Sequence, residues 1–269
     1  MEDVLTRCFL CARPAPTCGH CGLVGVCEAH LTLHRPQTQC LPVAVVRAEA
    51  KGRMVITTRD VRPGETLLVD KPLVVGTVGE DVMENIELSG EMVRMVIEII
   101  EADEDKRERV LGLMDHLDIR RGQAVWDEVR DHIGPWVLAR PGMEEVSLET
   151  VERVVGVIRT NSIKWERDTS ASGDRSYALC PLFACFNHSC GSNATDVQTS
   201  CGHMVVRAVR AIKRGEEVSI QYRASAMDSV TRRTELKEFW MFDCDCERCR
   251  DRTEMGTMAS GLRCVTCVC

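Results

Sequence analysis

The spacing of the cysteines is the feature of this 269-residue chain that points most directly to chemistry. Of its 16 cysteines, six lie in residues 8–40, four in 180–201 and six in 244–269. Residues 1–10 lack the basic and then apolar pattern of a secretory signal, so we expect the cytosol or the nucleus. Disulfides rarely form there, and closely spaced cysteines favour metal binding.

The first group predicts two tetrahedral zinc sites within residues 1–42. A Cys-x2-Cys turn directs two thiolates at one ion, and a segment this short needs metal to fold. The eight candidate ligands are Cys8, Cys11, Cys18, Cys21, Cys27, His30, His34 and Cys40. His20 is an alternative ligand, and buried thiols without metal are the alternative interpretation of the whole group.

The last group offers three thiolates within six residues, and structural zinc takes four ligands. The three are Cys244, Cys246 and Cys249. Cys190 is the candidate for the fourth, because it follows a polar Asn-His pair; Cys264 or Cys267 is the alternative. About three zinc ions per chain are therefore expected.

The elements that must position these residues form an α+β pattern. Short β-branched runs separated by turns predict strands at 53–58, 66–69 and 73–75. Apolar residues then recur at helical spacing between about 80 and 160, with Ser147 as an N-cap, which predicts a helical insertion. Alternation over 205–212 and 218–222 predicts a second half made of strands.

Two sets of motifs carry a family resemblance. Asn-His-Ser-Cys at 187–190, Gly-Glu-Glu at 215–217 before Tyr222, and the triple-cysteine tail resemble a SET domain with its post-SET tail. Gly-Arg-Met at 52–54 resembles its N-terminal half, and the ligand order of residues 1–42 resembles a MYND finger. The chain is thus similar to the SMYD family, and to its arthropod SmydA-like branch.

The resemblance implies a domain order and a ligand pairing. Residues 1–42 would be a MYND-like finger, 43–224 a SET domain with the insertion at about 80–160, and 225–269 a truncated post-SET zinc segment. In the finger, one zinc would take Cys8, Cys11, Cys27 and His30, and the other would take Cys18, Cys21, His34 and Cys40. We expect the chain to be a fragment or a short form, since the family's C-terminal helical region does not follow.

The resemblance also implies an activity, the transfer of a methyl group from S-adenosylmethionine to a protein lysine. Tyr222 would be the catalytic residue, at the inner end of a lysine channel lined by Ile163 and Trp240. The cofactor-binding residues would be Lys51, Arg53, Asn161, Asn187, His188 and Phe242.

An adaptor without catalysis is the alternative function. Met54 stands where the family often has glycine, and Ile163 and Trp240 stand where it often has aromatic or tyrosine residues. In that case the SET fold would be a scaffold, and the finger would bind a peptide partner.

Charge and hydropathy exclude other classes of protein. The net charge is −7, and residues 80–160 hold 20 acidic and 10 basic residues, so we do not expect direct binding to nucleic acid. We interpret this acidic stretch as a solvated helix face rather than as a peptide-binding surface. The sequence holds no apolar run long enough to span a membrane.

Overall fold

The computed structural model describes residues 15–16, 18, 26–28, 31, 41–48, 51–76, 90–166, 176–224 and 226–261. Its strands are β1 Val43–Ala48, β2 Gly52–Thr57, β3 Thr66–Asp70, β4 Val74–Gly76, β5 Ser162–Trp165, β6 Ser176–Leu179, β7 Asn187–His188, β8 Ala194–Gln198, β9 Met204–Ala208 and β10 Glu217–Ile220. Its helices are α1 Gly90–Ile100, α2 Glu104–Leu111, α3 Leu117–Arg120, α4 Ala124–Glu128, α5 Gly134–Leu138, α6 Leu148–Asn161, α7 Ser229–Trp240 and α8 Glu247–Arg250. A π-helical turn, Val129–Ile133, joins α4 to α5.

These strands form three small sheets. Their orders are β1-β2-β10-β7, β3-β9-β8 and β4-β6-β5. In the first sheet β10 pairs with β7 in parallel, whereas its other pairs are antiparallel. The parallel pair places Asn187 opposite Ser219 and His188 opposite Ile220, so the Asn-His motif lies next to the strand that leads to Tyr222.

The core has two parts that meet at the third sheet. One cluster joins the first two sheets through residues such as Leu67 and Phe186, which are almost fully buried. The other lies under the helical insertion and includes Val74 of β4 and Leu179 of β6. The helices of the insertion therefore pack against the sheet β4-β6-β5. The predicted combination of strands and helices in an α+β fold is confirmed.

The helical insertion follows the predicted pattern at its two ends. Val93, Val96 and Ile100 of α1 are buried, as their spacing predicts. Ser147 caps α6 by accepting a hydrogen bond from the Thr150 amide, which satisfies a donor that the first turn of the helix leaves open.

The centre of the insertion differs from the prediction. The apolar spacing of residues 110–117 predicts one helix, but α2 ends at Leu111 and α3 begins at Leu117. His116 adopts a left-handed conformation with φ 53°, and the Asp115 carboxylate accepts from the Leu117 amide. This local bonding ends the helical run, because it satisfies the backbone in a turn instead.

The predicted strand at 205–212 is also shorter than expected. β9 ends at Ala208, and Ile212 forms only an isolated bridge with Val61.

Among the described residues, no helix combines the length and the apolar character that crossing a bilayer requires.

Gly156 lets α6 lie close to the Asp115 backbone, and we expect Gly156→Ala to lower the free energy of unfolding by about 1–3 kcal/mol. A Cβ at this position would lie 2.6 Å from the Asp115 carbonyl oxygen. The destabilisation caused by that clash exceeds the ~1 kcal/mol by which alanine stabilises a helix relative to glycine. Urea denaturation measures the difference. Gly122→Ala, whose Cβ would meet its nearest atom at 3.6 Å, is the control and should change stability little; a stabilising Gly156→Ala would contradict the packing described here.

Candidate functional site

Four of the predicted site residues form a cluster of rings beyond the end of β10. The ring centroid of Tyr222 lies 5.3 Å from that of His188 and 5.1 Å from that of Trp240. The His188 ring in turn lies 6.1 Å from that of Phe242. The parallel pairing of β7 with β10 brings His188 to Tyr222, and the end of α7 delivers Trp240 and Phe242. The structure thus unites residues that are far apart in the sequence.

The His188 ring is held in one tautomer by the backbone. Its Nδ1 accepts a hydrogen bond from the Tyr222 amide at 3.0 Å, so the proton of the neutral ring is on Nε2. Nε2 lies 3.2 Å from the Cys190 sulfur and can donate to it. Burial lowers the pKa of His188 to about 4, which keeps the ring neutral near pH 7. His188 therefore links the ring cluster to the cysteine cluster.

The Tyr222 hydroxyl is a hydrogen-bond donor here. It donates to the Phe186 carbonyl oxygen at 2.6 Å. Burial raises the pKa of Tyr222 above its usual range, so the hydroxyl stays protonated at any physiological pH. Its proton is used in the hydrogen bond to the Phe186 carbonyl oxygen, and the lone pairs of its oxygen can still accept a hydrogen bond from another group. The hydroxyl can therefore orient a neighbouring group, but it cannot serve as a general base at neutral pH.

A polar network joins three further predicted residues. The Glu217 carboxylate accepts from the Asn187 amide at 2.9 Å and from the Lys51 ammonium at 2.6 Å. The Asn187 amide also donates to the Arg53 carbonyl oxygen at 3.1 Å. Lys51, Arg53 and Asn187 are thus brought together, with Glu217 as the link. Glu217 belongs to the Gly-Glu-Glu motif, but its type and position in the sequence do not indicate this linking role.

Asn161, the last residue of α6, lies next to Met114. Its amide donates to the Met114 carbonyl oxygen at 2.8 Å and to the Val157 carbonyl oxygen at 2.8 Å. Gly52 has φ +68°, and a Cβ added there would lie 3.6 Å from the methyl carbon of Met114. Met114 fits the apolar helical spacing of residues 110–117, but it is 45% exposed in the break between α2 and α3. It is a neighbour of the candidate site that sequence reasoning missed.

Ile163, a predicted channel residue, and Met54, which stands where the family often has glycine, both lie in strands. Ile163 is paired with Ala178 in the third sheet and is only partly buried against the strand core. Met54 lies in β2 opposite Val46 and is also partly buried.

The four cysteines predicted to form the post-SET zinc site converge, with Cys190 coming from the SET domain and the other three from the tail. Their sulfur atoms all lie within 4.8 Å of one another, and the Cys190 sulfur is 3.8 Å from Cys244 and 3.6 Å from Cys249. Four sulfurs around a zinc ion with bonds of about 2.3 Å are about 3.8 Å apart in a tetrahedron. The cluster therefore fits a closed tetrathiolate metal site. Cys264 and Cys267, the alternative fourth ligands, lie outside the described residues.

The candidate ligands of the N-terminal finger fall mostly outside the described residues. Cys18 is buried and Cys27 is partly buried. The other six are Cys8, Cys11, Cys21, His30, His34 and Cys40, and they lie outside the described residues. The finger stays a prediction.

Asp70 is a buried residue that sequence reasoning missed. Its carboxylate accepts from the Leu182 and Phe183 amides at 3.0 and 3.1 Å, which anchors the chain just before the Asn-His motif. Burial raises the pKa of Asp70 to about 6. In the sequence it is only a polar residue at the end of a strand, so the signal for its role was absent.

Comparison with known families and proteins gives a consistent result. A family model described as the SET domain matches residues 52–223. The chain is 36% identical over 124 residues to SET domain-containing protein SmydA-8, isoform A, of Drosophila melanogaster, which is 46% of this chain and 27% of that protein. It is 39% identical over 83 residues to histone-lysine N-methyltransferase SMYD3 of Homo sapiens, which is 31% of this chain and 19% of that protein. The matches thus span about a quarter or less of these relatives.

Solved structures show the same fold at low sequence identity. The crystal structure of the SET domain of LSMT bound to lysine and AdoHcy has a TM-score of 0.50 and 15% identity, covering 77% of this chain and 54% of that one. Rubisco LSMT bound to AdoMet has a TM-score of 0.50 and 14% identity, covering 78% of this chain and 53% of that one. The predicted resemblance to SMYD proteins of the SmydA kind is confirmed. The chain belongs to the SET domain family.

Proposed function

We propose that this chain is a protein-lysine N-methyltransferase that uses S-adenosylmethionine. The observation that carries the proposal is the placement of the Tyr222 hydroxyl. The hydroxyl is protonated and fixed on the Phe186 carbonyl, and the Tyr222 ring packs against the Trp240 and His188 rings. The family relatives, several of which are named as lysine methyltransferases, support the same activity.

The residues present suit the chemical groups of S-adenosylmethionine. Lys51 offers a cation for a carboxylate, and the Glu217 carboxylate and the Arg53 carbonyl offer acceptors for an ammonium group. Phe242 offers an aromatic face for the adenine base. Asn161, Asn187 and His188 complete the set of residues that would hold the cofactor. When bound, S-adenosylmethionine supplies a methyl group activated by its sulfonium.

The protein's own contribution is alignment and the exclusion of water. Since Tyr222 is protonated and already donating, the substrate lysine must enter as a neutral amine. The partly apolar walls of Trp240 and Tyr222 favour that form, because desolvation lowers the pKa of a lysine ammonium. The Tyr222 oxygen can also accept weak C–H contacts from the group being transferred, which hold its direction.

Zinc would act in folding and not in the reaction. The four sulfurs of Cys190, Cys244, Cys246 and Cys249 close a tetrahedral site and leave no open position for substrate. Such a site would attach the tail to the β core and hold Phe242 near His188. We further propose two zinc ions in the MYND-like finger, for a total of about three.

The proposed partners are proteins. The substrate would be a histone or another protein that presents a lysine, and the finger would bind a peptide partner. We propose the cytosol or the nucleus as the location, on the basis of the thiol-rich composition.

Two measurements on the purified protein test the activity together. Calorimetry should detect binding of S-adenosylmethionine, and labelled methyl groups should pass from it to lysines of a broad protein extract. Asn187→Ala should weaken cofactor binding, because it removes the amide that joins Arg53 and Glu217. Absence of both binding and transfer in the wild-type chain would favour the adaptor function.

Met54→Gly separates a weak enzyme from an adaptor. Side chains alternate along a strand, so Met54 lies on the same face of β2 as Gly52, which faces Met114. We expect the variant to bind S-adenosylmethionine more tightly, because removing the side chain opens that face. The comparison is calorimetric, with Ile56→Ala, farther along the same face, as the control. If neither wild type nor Met54→Gly binds the cofactor, the scaffold interpretation is correct.

A further inference from the structure

Arg232 is a fully buried cation in contact with the cysteine cluster. It lies in α7, its relative exposure is 0%, and its Nε donates to the Cys190 sulfur at 3.1 Å. Another of its nitrogens donates to the Met227 carbonyl oxygen, which holds the guanidinium in place. A buried arginine destabilises the folded state unless its charge is paired, so Arg232 requires negatively charged partners.

Glu254 gathers two buried arginines beside the same cluster. Its carboxylate lies 3.4 Å from Arg232 and 3.3 Å from Arg248, and all three side chains are almost completely buried. Arg248 lies between Cys246 and Cys249 in the sequence and also donates to the Thr257 hydroxyl at 3.1 Å. Glu254 therefore links Arg232, which contacts Cys190, to Arg248, which lies in the same short helix as Cys249.

The charges of this group do not balance without the cysteines. Two guanidinium groups face one carboxylate, which leaves one positive charge in excess among these buried side chains. Protonated thiols would not offset it, whereas four thiolates on a divalent ion carry a net charge of −2. The excess positive charge therefore stabilises the thiolate form of Cys190. The thiolate is the form that binds metal.

The backbone around Glu254 is arranged to bring its carboxylate inward. Glu254 and Met255 both adopt positive φ values, 51° and 59°, which are costly for residues other than glycine. A Cβ added at Gly191 would lie 3.0 Å from the Met255 sulfur, so this loop packs directly on the residue that follows Cys190. The loop supports Cys190 and Arg232 together.

We propose that Arg232, held by Glu254 with Arg248, is the outer shell of the tetrathiolate site and controls how firmly it retains zinc. This inference rests on the metal site proposed above. Arg232 is a positioning residue: its guanidinium holds the Cys190 sulfur toward the other three cysteines and offsets the negative charge of the four thiolates. Groups that contact metal ligands in this way change metal affinity by about 10- to 100-fold when removed.

The test is the rate of zinc release to a chromogenic chelator. Zinc release from several sites would give several kinetic phases. Cys190→Ser identifies the phase of this site, because that phase should be missing in the variant. In that phase, Arg232→Met should release zinc about 10- to 100-fold faster than the wild type. Arg232→Lys keeps the charge without the guanidinium geometry and should fall between them. The control is Arg233→Met, the next residue in α7, whose side chain is 49% exposed and which should behave as the wild type does.

The outcomes separate the two proposals. Wild-type release from Arg232→Met and from Arg232→Lys would overturn the role of Arg232 and leave the metal site intact. Unchanged zinc content in Cys190→Ser would show that Cys190 is not a zinc ligand, and would overturn the site on which this inference rests. Circular dichroism checks that each variant is folded, and Arg232→Lys decides the matter if Arg232→Met does not fold.

Discussion

Tyr222→Phe is expected to abolish methyl transfer, with a rate at least ~100-fold below that of the wild type, because small losses of alignment have effects of this size. The substitution removes one oxygen atom, the donor to the Phe186 carbonyl. It retains the ring that packs against His188 and Trp240, so the shape of the site is kept. Binding of S-adenosylmethionine should remain nearly unchanged. Labelled methyl transfer and calorimetry on the same preparations measure the two quantities.

The chain contains its own control for this substitution. Tyr177 is the other of its two tyrosines and lies in β6, against the helical core. Tyr177→Phe should leave methyl transfer close to that of the wild type. Equal activity in Tyr222→Phe and wild type would show that the hydroxyl has no role in the reaction, even though the chain would remain a methyltransferase.

Cys190→Ser is expected to lower the zinc content by about one ion per chain, because a structural site needs all four of its ligands. The tail should then loosen, since the energy of metal binding contributes directly to folding. Phe242 and Trp240 lie on the segment just before Cys244, so their contacts with His188 and Tyr222 should weaken too. Elemental analysis gives the zinc content, and limited proteolysis reports the loosening after Trp240.

An exposed thiol provides the comparison for this second substitution. Cys201 lies in the turn between β8 and β9, where its sulfur is 3.3 Å from the His203 ring and 3.1 Å from the Thr199 hydroxyl. Cys201→Ser should keep the full zinc content and a protease-resistant tail. Full zinc content in Cys190→Ser would assign the fourth ligand to another residue, such as Cys264 or Cys267.

The local elements of this protein follow from short stretches of its sequence. The β-branched run at 53–58 predicts β2, and Ser147 with the apolar residues that follow predicts α6, because both signals lie within a few neighbouring residues. The same reasoning was wrong at 110–117, where the spacing suits a helix. The Asp115 carboxylate and the left-handed His116 end the helical run there.

The candidate ligands and the motif residues were also available from the sequence, since a tight turn must hold two thiolates at fixed spacing. Their assembly was decided by the tertiary structure. Cys190 meets Cys244 across 54 positions, and Lys51 meets Glu217 across 166. Which distant segments meet depends on the packing of the whole core, and no short stretch encodes it. For the same reason the roles of Asp70, Arg232 and Glu254 emerge only once burial shows which charges need a partner.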